Sequence, residues 1–281
     1  MSGVKIFTKA IIDSQPWRKD PSVIRKEWSE KEYQLAYHGG GNSPLCFAMM
    51  WDNGVVKPHP PLLRAMELTK KALEEAGHRG NNETIFVADG GEDYRTECAR
   101  SGEPLIETMV PDVGGADPIV EKGFVNHLVG EAYHRTTYEL WQLHKEKREL
   151  RKSHLDHWEK TVNRTETGRP VDAIISPAVA YPAVPHGLNT DSFYTTLCNA
   201  MDYTTSVFPV TFVDTELDHP REPHEFYNYE DEAVYKLYDS GLFQGCPIGL
   251  QLIGRTQEEE AVIRMTEIVD MALKEYQRKA K

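Results

Sequence analysis

The sequence predicts an α/β fold with a mixed β-sheet flanked by helices, and three features carry that prediction. Compact apolar runs of strand length, bounded by Pro and Gly, recur at 45–51, 172–175, 208–213 and 248–253. Between and after them, apolar residues repeat at helical spacing over 59–76, 192–203 and 256–276. The last three runs suit strands covered on both faces. A Pro-rich loop leaves the C-terminal end of the 172–175 strand, where open α/β sheets place their ligand crevices. Residues 171–214, completed by 245–255, therefore read as the floor of a pocket.

In chain order, residues 4–13 (VKIFTKAIID) put apolar side chains at 4, 7, 10 and 11, one face of a helix. The helix opens almost at the first residue with no packing partner before it, so a preceding segment is expected. Asp20-Pro21 breaks any helix in the connector that follows. The run 45–51 (LCFAMMW) has strand length. The helix at 59–76 has Pro60 and Pro61 in its first turn, shares a face among Leu62, Met66, Leu73 and Ala76, and ends on Gly77 as the left-handed stop. Strand then helix predicts a second, parallel strand. The polar segment 78–83 (HRGNNE) stands there instead, which predicts a local deletion. Residues 84–98 are expected to enter a helix, and 111–118 form a loop around Gly114-Gly115. From 126 to 164 the pattern is helical, with an intermittent stripe of Leu128, Ala132, Leu140, Leu143 and Trp158. Residues 214–231 read as a polar loop. Thr256 is the expected N-cap of the last helix, with Glu258, Glu259 and Glu260 in its first turn. The whole reads as a single partial domain, 1–281.

Composition narrows the function. With 281 residues, 40% hydrophobic and 27% charged, the chain can bury a substantial core. A formal charge of -12 argues against a nucleic-acid partner. The mixed run 145–152 is expected to be a solvated helix face. No apolar run reaches the ~20 residues that span a membrane, and no signal peptide is visible, so a cytoplasmic location is expected. Cys46, Cys98, Cys198 and Cys246 lie far apart without CxxC, as buried thiols in a reducing compartment do.

Four constellations are candidates for chemistry. His38-Gly39-Gly40-Gly41 is like an oxyanion loop, but no G-x-S-x-G elbow accompanies it, so it reads as a flexible connector. His127, His134, His144, His154 and His157 lack the carboxylates or cysteines of a metal site, so they read as surface histidines and no cofactor is expected. Glu92-Asp93 and Glu230-Asp231 read as solvated charge. Tyr181, His186, Asn199, Asp202, Thr204, Thr205 and Ser206 lie near the expected strand ends, without the adjacent base a Ser or Thr nucleophile needs.

DAIISPA, YPAVPHG, TTLCNAMDYTTSVFPV and PIGLQLIGR together closely resemble the amidase-signature family, in its fungal acetamidase-like branch. FTKAIIDSQPWRKDPSV, FAMMWDNGVVKPHPP and ADGGEDYRTECARSGEPLI resemble the same group, so the likeness runs from about residue 4 to about residue 276. It implies the C-terminal part of that fold, with an incomplete sheet, and hydrolysis of a small carboxamide's C–N bond. Members use a serine nucleophile, a relaying serine and a lysine, with a Gly/Ser-rich loop as oxyanion hole. No position here matches those parts, so the resemblance carries over no catalytic residue. It implies a chain inactive alone, a chain active when complemented by a separate N-terminal half, or a non-catalytic binding protein using the retained pocket. Tyr181 and Asn199 are the expected pocket-wall positions. Exposed sheet edges are expected to allow self-association.

Overall fold

The structure, a computed structural model, describes residues 2–41, 43–78, 136–183 and 193–280. The helices are α1 (Ser2–Asp13), α2 (Glu30–Tyr33), α3 (Pro60–Glu75), α4 (Thr137–Lys160), α5 (Phe193–Met201), α6 (Tyr229–Leu237) and α7 (Glu259–Lys279). The strands are β1 (Phe47–Met49), β2 (Ala173–Pro177), β3 (Thr205–Phe212) and β4 (Pro247–Ile253). They form a four-stranded sheet in the order β1-β2-β4-β3. β1 runs parallel to β2, and β4 runs antiparallel to both of its neighbours, so the sheet is mixed.

Alternation along the strands divides the core. Phe47, Met49, Ala173, Ile175, Leu250 and Leu252 point to one face, where Leu62, Ala65 and Met66 of α3 and Val262, Met265 and Val269 of α7 cover them. Cys46, Ala48, Met50, Ile174 and Ile253 point to the other face and pack against Trp158, Tyr194, Leu197 and Val234. The period of two places successive side chains on opposite sides, and the helices supply the matching stripes. β1 and β2 are thus covered on both faces, as expected for β2.

β3 departs from that expectation. Phe208 and Val210 are buried, but Val207 and Phe212 are 59% and 63% exposed. It is an edge strand with one face to solvent, and it alternates in the way one-sided strands do. Pro209 and an irregularity between Pro209 and Thr211 interrupt the ladder a further strand would need.

The helix ends explain themselves locally. After α3 the chain makes a Schellman turn: Gly77 N–H donates to Glu74 O and His78 N–H to Leu73 O, with Gly77 at φ 94°. His78 Nδ1 then accepts from the backbone of Leu45 at 2.9 Å, just before β1. α4 opens on a capping box between Thr136 and Glu139, inside the helical stretch expected at 126–164. The last helix begins later than expected, at Glu259 rather than after a Thr256 cap. The chain turns left-handed at Gln257 (φ 64°). Lys26, from the connector before α2, pairs with Glu259 and Glu260, which takes up these first-turn acids.

The expected deletion at 78–83 lies outside the described residues except for His78, as do 84–98, 111–118 and 126–135. Among the described residues, no helix is long and apolar enough to cross a membrane.

Candidate pocket floor

At the C-terminal end of β2, a buried carboxamide fastens three elements together. Gln251 of β4 is 1% exposed. Its Nε2 lies 2.9 Å from Ser176 Oγ, 3.0 Å from Pro177 O and 3.0 Å from Tyr194 O. Two backbone carbonyls can only accept, which fixes the amide nitrogen on that side. Gln251 therefore ties the end of β2 to the first turn of α5. Ser176, fully buried, donates its hydroxyl to Pro177 O at 2.9 Å. Neither that carbonyl nor the Gln251 amide is a base able to activate it.

The loop between β1 and α3 closes the same side. Tyr194 Oη donates to Val56 O at 2.7 Å, and His59 N–H donates to Ala180 O at 2.7 Å. His59 N-caps α3 and is 1% exposed. Its Nε2 meets Val234 O at 2.7 Å, so that nitrogen carries the proton. Burial is the main cause that pulls the imidazole pKa down to about 4, so the ring is neutral near pH 7. Tyr181, Tyr238 and Phe243 surround the ring at centroid distances of 6.2, 4.8 and 5.9 Å.

Beside this cluster, Asp231 anchors the loop that precedes α6. It accepts from Lys57 N–H, Tyr227 N–H and His224 Nε2 at 2.8, 3.1 and 2.9 Å, and it is fully buried. Glu230 is buried as well. The pair expected to be solvated charge is instead part of the interior. A buried polar group needs hydrogen-bond partners, and the Asp231 carboxyl has three donors. Arg221 donates to Pro58 O at 3.0 Å and Lys57 O at 3.4 Å, and desolvation pulls its pKa down.

The two expected wall residues lie in different settings. Tyr181 is 2% exposed, in the core beside His59. Asn199 is exposed on α5, and its backbone carbonyl accepts from Lys147 of α4. Asp202, at the end of α5, pairs with Lys147 and Arg151 at 3.2 and 2.6 Å. These three, with His144 and Arg148, line an open depression of about 260 Å³ on the α4 surface. His186 lies outside the described residues.

The remaining constellations resolve into structural roles. Ala36–His38 is a 3-10 turn, and His38 is buried rather than part of a flexible connector. His38 Nδ1 is 2.9 Å from Asp172 Oδ1, while Asp172 Oδ2 accepts from Cys46 N–H at 2.8 Å. This dyad sits before β2, at the end opposite the Pro-rich loop. Its Nε2 faces Glu258 at 3.9 Å, not a hydroxyl, so it has no nucleophile to activate. His154, expected on the surface, is buried and bonds through Nδ1 to Tyr203 Oη at 2.8 Å. Among the described residues, no group of three or more His, Cys, Asp or Glu could hold a metal ion. Cys46 and Cys198 are buried and Cys246 is partly buried.

Sequence reasoning missed Gln251 and His59. Gln251 did carry a signal, because a polar side chain inside a buried apolar run must find hydrogen-bond partners. His59 had none beyond its position before Pro60.

The comparisons with known proteins bear on the same residues. The family model described as Amidase matches residues 1–263. The acetamidase of Aspergillus oryzae is 32% identical over 283 aligned positions, covering 96% of this chain and 49% of that protein. Amidase 1 of Gibberella moniliformis is 31% identical, covering 94% of this chain and 49% of that protein. The chain thus spans about half the length of the curated relatives it matches. Among solved structures, a fatty acid amide hydrolase superposes with a TM-score of 0.72 at 23% identity, over 96% of this chain and 46% of that one. That likeness establishes the amidase-signature fold alone. The chain belongs to the amidase family.

Proposed function

We propose that this chain supplies the pocket-floor half of an amide hydrolase. The reaction is cleavage of a carboxamide C–N bond: water adds across the acyl carbon, giving a carboxylate and ammonia. The nucleophilic serine, relaying serine and lysine belong to the half of the fold this sequence does not span. The chain alone is therefore inactive. One observation carries the reading: family membership extends over nearly the whole chain, while the chain spans only about half of each relative. The absence of a GGSSGG-like loop anywhere in the sequence supports it. So does the setting of Ser176, whose hydroxyl bonds to a carbonyl with no base beside it.

In this reading the Gln251 network and the His59 cluster act by position. They hold residues 176–181, where the chain leaves β2, in place, so that a substrate bound above them keeps one orientation against the reacting serine. Of the two wall candidates, Tyr181 has the stronger position, since it lies in that segment.

Release of ammonia from acetamide and from benzamide by the purified chain tests the proposal. We expect no turnover above the buffer rate, since loss of the nucleophile alone lowers kcat by about a million-fold. Clear turnover that a serine-directed reagent abolishes would overturn it.

A further inference from the structure

α1 turns an apolar stripe outward. Val4, Phe7 and Ile11 share one side of the helix and are 42%, 68% and 47% exposed, and neighbouring Ile6 is 69% exposed. The side toward the body carries the half-buried Lys5, Thr8, Lys9 and Ile12. Lys5 Nζ lies 3.5 Å from the Tyr33 ring centroid, and Lys9 Nζ lies 5.6 Å from that of Trp28. A surface helix ordinarily buries its apolar stripe and shows its charges. A contiguous apolar face left in water marks an interaction surface.

The relatives indicate what covers it. They match this chain almost end to end, and about half of each lies outside the match. We propose that the Val4–Phe7–Ile11 face of α1 docks the other half of the amidase fold, the portion the relatives carry beyond the matched region. This rests on the reading that the catalytic half comes from outside this sequence. A lipid surface fits less well, because anionic membranes are held by basic side chains flanking the apolar stripe. Here Lys5 and Lys9 lie instead against aromatic rings of the body. A self-dimer fits less well, because four side chains fall far short of the roughly 20–30 residues a side of a stable interface. They suit one patch within a larger surface.

The test mixes the full chain with a separately produced polypeptide carrying the portion of the Aspergillus oryzae acetamidase outside the match. Association is read by light scattering and calorimetric titration. The expected result is a one-to-one complex that Phe7→Asp weakens about thirtyfold, as loss of a buried aromatic anchor does. Leu242→Asp, exposed between α6 and β4, is expected to leave it unchanged. Phe7 is largely exposed, so the free variant should keep its circular dichroism and Tm. With the separate half shown to be folded by circular dichroism and cooperative melting, absence of a complex, or a complex indifferent to Phe7→Asp, overturns the proposal. So does Phe7-dependent self-association, or Phe7-dependent binding to phosphatidylserine vesicles. Ammonia release is scored separately. A Phe7-dependent complex that turns over no amide keeps the docking surface and sinks the proposed function. Turnover by a complex indifferent to Phe7 does the reverse.

Discussion

Arg64→Met is expected to lower the stability of the chain by about 3 kcal/mol. Arg64, on α3, grips Asp218 as a fork, Nε to Oδ1 at 2.7 Å and Nη2 to Oδ2 at 2.6 Å. The same guanidinium donates to Phe212 O at 2.7 Å and Thr211 Oγ1 at 3.2 Å, so it also holds the end of β3. Hydrogen bonding to Asp218 is the first cause that raises its pKa. Asp218 is 1% exposed, and Met would leave its carboxylate buried with only the Asp214 N–H at 2.9 Å. Breaking a buried pair from one side costs about 3–5 kcal/mol. Arg64 keeps 21% of its side chain in solvent, which places the loss at the low end. At about 2–4 °C per kcal/mol for a large domain, Tm falls by roughly 6–12 °C. Urea denaturation followed by circular dichroism measures this, alongside Arg64→Met/Asp218→Leu, which removes both charges. The double variant should recover at least half of the loss. A single variant within 1 kcal/mol of the parent, or a double variant less stable than the single, would refute the reasoning.

Other perturbations are equally specific. His59 has a folded pKa of about 4 against 6.5 unfolded, so the unfolded chain binds the extra proton between them; stability is full above about pH 6.5 and falls toward pH 4, by about 3 kcal/mol. Urea titrations across that window should show the loss, and His59→Gln should flatten it. Gln251→Leu leaves Pro177 O and Tyr194 O without their shared donor, costing about 1–3 kcal/mol in the same assay; an unchanged midpoint would dismiss the network. A Cβ on Gly254 would lie 2.3 Å from Val262 Cγ2, so Gly254→Ala should overpack the β4–α7 corner by about 1–3 kcal/mol in thermal denaturation. Pro209→Val restores a backbone donor on the β3 edge and should raise concentration-dependent association in sedimentation velocity; a variant as monomeric as its parent would show that the edge is blocked by other means.

The parts of this fold legible in the sequence were those set by periodicity and by backbone-restricted residues. Pro60-Pro61 and Gly77 bracket α3 to within one or two residues, because proline and a left-handed glycine act through their own covalent geometry. β1 and β2 followed from continuous apolar runs. The features that escaped depend on partners distant in sequence. Asp231 is buried because Lys57, from the β1–α3 loop, meets it, and Thr256 loses its cap role where Lys26 reaches the start of α7. β3 has the composition of a buried strand, but its place at the sheet edge is a matter of topology, which local composition does not encode. The C-terminal end of β2 was legible as a location from the Pro-rich loop. Its fastening by Gln251 was not, since that required knowing that β4 lies beside β2.

That placement has a consequence for how the chain is made. β4 carries the hydrogen bonds of both β2 and β3, yet it comes after both of them in chain order. Its earlier partners must wait: β1 meets β2 only after more than a hundred intervening residues, and among the described residues β3 has no strand neighbour until residues 247–253 emerge. Such non-local pairing is slow, because loop closure precedes any return in contacts. During synthesis, Phe208 and Val210 have no sheet to enter, and a chaperone would find them there. Ribosome stalling before residue 247 should give a protease-sensitive nascent chain, and stalling well past residue 280 a resistant one.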